Sequence, residues 1–231
     1  MDEASRIKSV YQKYRESKIC RTQWDEGLCG NKYIFSRREE ALAKILKQSG
    51  FFRIHDRKIL DLGCGGGTTV SEFIKWGAQS ENLCGVDLLP ERIEDAKRRY
   101  PSIKFYCMDA QHLSFPDFSF DLIILFTVLS SILDDAMGKK IADEAMRVLK
   151  PGGLILIYDV RYPNPFNPFT RALTKQLVRE YFSGYTHLSF NSLTLIPTLA
   201  RFLAPLSYRI CSFLEKIPFL RSHYFVIIKK G

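Results

Sequence analysis

The stretch Lys58-Ile59-Leu60-Asp61-Leu62-Gly63-Cys64-Gly65-Gly66-Gly67-Thr68-Thr69-Val70 constrains the fold more than any other. It opens on apolar residues suited to a buried strand, breaks into glycines, and resumes at helical spacing through Ser71, Glu72 and Phe73. A strand, a Gly-rich turn and a helix start form the entry to a nucleotide-type pocket, because glycine lets the backbone pass close to a ligand. The free N–H groups of such a turn and helix start are expected to face a polar or anionic ligand group. The spacing from Asp61 to Gly67 is Asp-x-Gly-x-Gly-x-Gly. A dinucleotide fingerprint would need glycine at position 68, where this chain has threonine, and this argues against a nicotinamide-dependent oxidoreductase.

The segments that follow repeat the strand-then-helix pattern. Leu83-Cys84-Gly85-Val86-Asp87 is a short apolar strand ending in an acid, 24 residues after Gly63. That is close to the roughly 20 expected for a carboxylate that accepts both hydroxyl protons of a ribose. Pro90 to Tyr100 reads as a helix with Ile93, Ala96 and Lys97 on its inner stripe, and Ile103 to Cys107 as a strand running into Met108-Asp109-Ala110. His112, in the loop beyond, reads as a structural contact. Phe120 to Phe126 is a near-continuous apolar run, as in a central parallel strand covered on both faces. The run from Thr127 to Asp135 leaves its C-terminal end, the end that faces the ligand crevice in open α/β sheets. Residues 138–148 read as a helix, Leu149-Lys150-Pro151-Gly152-Gly153 as a turn, and Leu154 to Tyr158 as the fifth strand. This alternation predicts an α/β fold.

At Leu60–Gly67 the chain resembles the class I S-adenosylmethionine-dependent methyltransferases. Asp87, the pair Asp109-Ala110 and the helix–Lys-Pro-Gly-Gly–strand unit extend the resemblance. It implies a Rossmann-like, seven-stranded, mostly parallel sheet with an antiparallel final strand and helices on both faces. It also implies an N-terminal helical cap over residues 1–50, a methyltransferase domain over 51–231, and a helical insertion at 196–220 before the last strand. The implied cofactor is S-adenosyl-L-methionine, with S-adenosyl-L-homocysteine as product. Its binding set is Asp61, Gly63, Cys64, Gly65, Asp87, Leu88, Asp109, Ala110, Phe126 and Thr127. In that set Asp87 holds the ribose and Asp109 accepts from the adenine amino group. Phe126, Thr127 and Ser131 flank the sulfonium end.

Before the glycine stretch, residues 5–18 read as a helix with Ile7, Val10, Tyr11 and Tyr14 on one stripe. A second helix is expected from Ser36, which with Glu39 forms a capping box, to Gly50. Helices placed here in the resembling family cover the cofactor, so Tyr11, Tyr14, Trp24 and Tyr33 are candidates to line the pocket. Beyond the fifth strand, Asp159-Val160-Arg161-Tyr162-Pro163-Asn164-Pro165-Phe166-Asn167-Pro168-Phe169 is dense in polar and aromatic groups and stiffened by proline. It differs from the Asn-Pro-Pro-Tyr signature of base- and glutamine-directed enzymes, which belongs after the fourth strand. The Asp-x-Arg-Tyr-x-Asn-Pro loop is similar to that of small bacterial methyltransferases associated with polysaccharide and glycolipid synthesis. Arg161, Tyr162 and Asn164, with Ser131 and Tyr33, are therefore the expected substrate contacts. Asp159, His187 and His223 are the general-base candidates.

Thr170 to Phe182 reads as a helix, Tyr185 to Leu195 as a strand, and His223 to Lys230 as the final strand. The intervening Ile196–Leu220 is apolar, proline-punctuated and basic. It is a lid, a dimer surface, or a contact with a membrane surface or lipid tail. The net charge of +9 divides into +4 over residues 1–50 (11 basic, 7 acidic), −3 over 51–159 (13 and 16) and +8 over 160–231 (10 and 2). The cofactor half is thus slightly acidic and the tail strongly basic. Nucleic acid is not the expected partner, because the basic tail is interleaved with apolar rather than stacking residues. The six cysteines form no C-x-x-C pair and no zinc spacing, which predicts reduced thiols and no metal. With no signal-peptide pattern at the N-terminus, a cytoplasmic protein is expected, at the inner face of the membrane if the insertion touches lipid. It would be a monomer or homodimer. The expected reaction is O-methylation of a sugar, glycan or lipid-linked precursor. N-methylation of a small amine, or cofactor binding without catalysis, stand as alternatives.

Overall fold

The computed structural model describes residues 2–17, 22, 25, 27–51, 53–164 and 167–231. Trp24, Cys20, Pro165 and Phe166 lie outside them. Helix α1 (Glu3–Glu16) is capped by the Asp2 carboxylate, which accepts from the Ser5 amide at 2.8 Å. Helix α2 (Cys29–Gln48) starts seven residues before the expected cap at Ser36. Ser36 lies inside the helix and its Oγ donates back to the Tyr33 carbonyl, as a mid-helix serine can, so the Ser36–Glu39 spacing marks no boundary.

The sheet comprises β1 (Ile59–Leu62), β2 (Leu83–Asp87), β3 (Lys104–Cys107), β4 (Phe120–Phe126), β5 (Leu149–Val160), β6 (Tyr185–Leu195) and β7 (Arg221–Lys230). Its order is β3-β2-β1-β4-β5-β7-β6, and β7 runs antiparallel to both its neighbours while the other pairs are parallel. Helices α3 (Thr68–Lys75), α4 (Pro90–Arg99), α5 (Asp135–Val148) and α6 (Lys175–Tyr181) make the crossovers. This is the Rossmann-like class I methyltransferase architecture. Every residue of β1 and β4 is buried, because helices cover both faces and no solvent face exists to impose alternation. One core, around Leu60, Ile123 and Ile157, packs under α1, α5 and α6; the other, around Ile59, Ile124 and Leu156, packs under α2, α3 and α4. Chain order reverses between β1 and β4, which sets a crevice at their C-terminal ends.

Three expectations shift locally. The Lys-Pro-Gly-Gly turn is absorbed into β5 behind a register shift opposite Phe120 and Leu122. The helix expected from Thr170 begins at Lys175. Thr174 caps it, and residues 170–174 form no helix, with the Leu173 amide donating instead to the Val160 carbonyl. Lys97 is exposed rather than on the inner stripe of α4, whose buried residues are Ile93 and Ala96. The 196–220 segment folds into α7 (Pro197–Leu203), α8 (Tyr208–Leu214) and a short 3-10 turn (Pro218–Leu220). It rises from the sheet edge where β6 ends and β7 begins. Leu199, Leu203 and Leu214 pack there against Tyr33, Ile34 and Leu195.

Candidate active site

The turn after β1 is built from the inside. Gly63 has φ +73°, and a Cβ there would lie 2.6 Å from Val128 Cγ2; Gly67 has φ +80°, and its Cβ would strike the Phe105 ring. Both positions therefore require glycine. The amides of Gly63 and Cys64 donate to the Val86 carbonyl, that of Gly65 to Asp87 Oδ2, and that of Gly67 to the Cys64 carbonyl. Four amides expected to face a ligand are thus turned inward. An oxyanion cradle needs free N–H groups. These four donors are satisfied within the bend, which leaves the first amides of α3 as the N–H groups of this stretch without an intrahelical acceptor.

Asp87 closes the turn from β2, with Oδ2 accepting from Gly65 at 2.8 Å and Oδ1 from Leu89 at 3.0 Å. A carboxylate offers about four lone-pair sites, so two remain for ligand hydroxyls. Beside it opens a cleft of about 110 Å³ at the C-terminal ends of the strands, where open α/β sheets place their ligands. Gly63, Asp87, Leu88, Asp109, Ala110, Phe126, Thr127 and Ser131 all line it together with Tyr11, so nine of the candidates singled out in the sequence converge here. Thr127 adopts φ +56°, a left-handed conformation rare for a branched residue, with its amide donating to the Tyr158 carbonyl at 2.7 Å. Helix α1 forms a wall through Ile7 and Tyr11. It is fastened there: the Tyr11 hydroxyl meets Ser131 Oγ at 3.1 Å, Arg6 donates to the Ser131 carbonyl, and Glu3 accepts from the Leu133 amide. Arg92 of α4 also lines the cleft, its guanidinium 4.3 Å from the Tyr11 ring centre.

Asp61, Cys64 and Gly65 do not line the cleft: Asp61 and Cys64 are buried beneath the bend, and Gly65 turns within it. Cys64 is buried, and burial pushes its thiol strongly upward, which makes it a packing residue. Asp61 is fully buried; desolvation pushes its carboxyl up to about 8, against the opposing pull of Arg38. Arg38, from α2, is paired with Glu72 at 3.7 Å and lies over the rings of Phe35, Phe126 and Tyr158. Asp61 Oδ2 and Arg38 Nε are sealed from solvent, with no hydrogen-bond partner among the described residues. The two groups thus form a buried acid and a buried base behind the glycine bend, the base shared with Glu72. Of the residues that line the cleft, Asp87 has lone pairs free for a ribose and Asp109 could accept from an adenine amino group, while Asp61 and Arg38 lie behind the bend.

The catalytic candidates fall elsewhere. Asp159 is fully buried, its oxygens accepting from the Ser130 and Val160 amides, and burial pushes it up to about 6; it pins the turn after β4 to β5 and does not reach the cleft. His187 is exposed and pairs with Lys229, at the end of the sheet opposite the crevice. His223 is buried, stacked on Tyr158 at 4.5 Å with Nδ1 against Ser222 Oγ, and burial holds it down to about 3, so it stays neutral. Tyr33 is also buried; its hydroxyl donates to Glu215 at 2.7 Å beneath the insertion. Arg161 donates to the Pro218 carbonyl and covers Tyr162 and Tyr224, so it fastens the insertion. Tyr162 and Asn164 are exposed outside the cleft. Two features missed in the sequence are Arg92 and Arg38. The first had a local signal, two residues after the proline that opens the helix behind Asp87; the second sits among ordinary helix charges.

Comparison with known proteins agrees with this geometry. Residues 59–153 match a family described as a methyltransferase domain, and this segment holds the glycine bend, Asp87, Asp109 and Thr127. The tRNA N(3)-cytidine methyltransferase METTL2 of Gallus gallus is 33% identical over 111 residues, covering 44% of this chain and 30% of that protein. The demethylmenaquinone methyltransferase of Renibacterium salmoninarum is 31% identical over 123 residues, covering 53% and 49%. The 2-methyl-6-phytyl-1,4-hydroquinone methyltransferase of a Synechocystis strain is 30% identical over 139 residues, covering 58% and 42%. The chain spans about half the length, or less, of these curated relatives. A SAM-dependent methyltransferase from Archaeoglobus fulgidus superposes with a TM-score of 0.57 at 18% identity, over 83% of this chain and 94% of that one. Residues 59–153 thus resemble a methyltransferase domain, and the chain shares its fold with the superposed structure.

Proposed function

We propose that the protein is an S-adenosylmethionine-dependent methyltransferase that methylates an acidic hydroxyl of a small, lipid-linked acceptor. The observation that carries the reading is the convergence of Gly63, Asp87 and Asp109 on one cleft at the β1/β4 reversal, with Asp61 and Arg38 behind it. S-adenosylmethionine, when bound, supplies a methyl group on a sulfonium that departs as a neutral thioether. The chain's own part is to bind, align and exclude water. Asp87 and Asp109 anchor the nucleoside, while Arg38 and Asp61 oppose the amino-acid charges. Ile7, Ile132, Met137 and Ile141 keep the cleft wall apolar.

The lining of the cleft supports this choice of acceptor. Among the described lining residues there is no histidine, and both carboxylates already accept backbone amides. A phenol-like hydroxyl, which loses its proton near pH 10, asks less of such a site than a sugar alcohol. The polar clamp expected for a sugar is dispersed, with Asp159 inside the core and Arg161 on Pro218. A relative named for a phytyl-bearing hydroquinone supports a hydroxylated ring with a lipid tail. A nitrogen acceptor, which need only arrive neutral, is the second reading, favoured by the same lack of a base and by the cytidine methyltransferase relative.

Titration with S-adenosylhomocysteine tests the foundation, and absence of binding would overturn it. Transfer of a labelled methyl group to hydroquinones and phenolic lipids, with glycolipids, small amines and tRNA in parallel, then ranks the acceptors. Preference for an amine or for tRNA would replace the hydroxyl reading.

A further inference from the structure

The 196–220 insertion turns an apolar face outward. Its inner residues, Ala200, Ala204 and Cys211, are buried against α2 and β6. Its outer ones include Phe202, Leu206, Phe213 and Phe219, which are 72%, 71%, 66% and 68% exposed, together with Ile210 at 47%. Scattered exposed leucines are ordinary; three phenylalanines and two aliphatic residues on one 25-residue segment are not. The other exposed residues of this segment are Thr198, Pro205, Tyr208, Ser212 and Pro218, with Arg209 and Lys216 as the exposed charges. None is acidic. Glu215, the segment's one acid, is turned inward to Tyr33, Arg37 and the Thr194 amide.

We infer that this face docks the protein on the surface of an anionic lipid bilayer, with the aromatic and aliphatic side chains in the headgroup boundary and Arg209 and Lys216 against lipid phosphates. The charge pattern selects this occupant over a second copy of the chain. A two-fold contact would set the patch against itself and bring Arg209 and Lys216 together with no acid to offset them. An anionic leaflet supplies the missing charge, and apolar side chains flanked by bases are what interfacial segments present to it. No helix among the described residues is long and apolar enough to cross a membrane, so the contact is peripheral. The placement also serves the cleft: the insertion leaves the ligand-bearing edge of the sheet, and Arg161 fixes Pro218 to the loop after β5.

Co-sedimentation of the full chain with vesicles tests this without cofactor or turnover, so its failure would leave the methyltransferase reading standing. Vesicles of phosphatidylcholine with an equal amount of phosphatidylglycerol should pellet the protein, and phosphatidylcholine alone should do so less. Phe202→Ser/Phe213→Ser should lower the partition coefficient roughly tenfold or more, since both rings provide the insertion. Its melting temperature should be kept, because neither residue belongs to the core. Arg209→Gln/Lys216→Gln should abolish the preference for phosphatidylglycerol and its salt sensitivity. The inference is overturned if the wild-type protein stays in the supernatant, if Phe202→Ser/Phe213→Ser pellets as well as wild type, or if that variant instead dissolves a homodimer that ignores vesicles.

Discussion

Asp87 and Asp159 are chemically the same group in nearly the same setting, and they do different work. Each ends a strand on the crevice edge, is almost entirely buried, and accepts two backbone amides. Asp87 keeps lone pairs turned toward the cleft. Asp159 is enclosed by the turn at Leu129–Ser131 and is structural. The contrast extends to the two halves of the sheet. On the β1–β4 side polar ends converge on a shared space, whereas on the β5–β7 side Tyr158, His223, Thr194, Glu215 and Tyr33 are taken up in holding the insertion. A polar residue at a strand end becomes functional only when nothing in the fold fills the space before it.

The sharpest challenge to this division is Arg38, which belongs to both sides. Arg38→Met should cost about 3–5 kcal/mol, since Asp61 and Glu72 lose the cation that offsets their burial. Thermal unfolding should register a drop of order 10 °C for a chain of this size. Next comes the direct comparison of the aspartates: Asp87→Asn should weaken S-adenosylhomocysteine about 10- to 100-fold by calorimetry. Asp159→Asn should leave the dissociation constant of the folded protein unchanged. Equal losses in the two variants would erase the distinction. Gly63→Ala should destabilise the bend by about 1–3 kcal/mol, and a second change, Val128→Ala, should recover part of that in denaturant melts by removing the 2.6 Å collision.

Histidine titration sharpens the other half. His223, lowered from 6.5 to about 3 by burial and by the nearby Arg38 charge, contributes stability that is complete above pH 6.5 and lost as pH falls toward 3. His223→Phe, which can keep the stack on Tyr158, should flatten that acid limb in a pH series of urea midpoints. The smallest effect belongs to His187→Ala, on the far end of β6, which should change turnover by less than about twofold.

The fold was legible wherever a signal was local. Leu83–Asp87, Phe120–Phe126 and Tyr185–Leu195 stand in the structure with the bounds their apolar runs and flanking turns suggest. The convergence of Gly63, Asp87 and Asp109 on one cleft was legible too, because they sit at or just beyond strand ends fixed by short, regular spacing. What could not be read was the direction of a polar group once two elements compete for it. Asp159 needs the amide of Ser130, 29 positions away in the chain, to be recognised as structural. Arg38 looks like one more charge on α2 until Phe126 and Tyr158 are seen beneath it. Ser36 and Glu39 carry a true capping spacing, yet the helix starts earlier, where the packing of Tyr33 and Ile34 under the insertion extends it.

The inward-turned amides of the glycine bend bear on competition in a crowded cell. Adenine nucleotides share the adenosine portion that Asp87 and Asp109 would grip, and they are abundant. What they carry beyond the ribose is an oxyanion chain, and Gly63, Cys64, Gly65 and Gly67 have no N–H left to stabilise it. The buried acid beneath adds repulsion once ionised. Measuring the affinity for ATP beside that for S-adenosylhomocysteine would show how much discrimination those four satisfied donors provide.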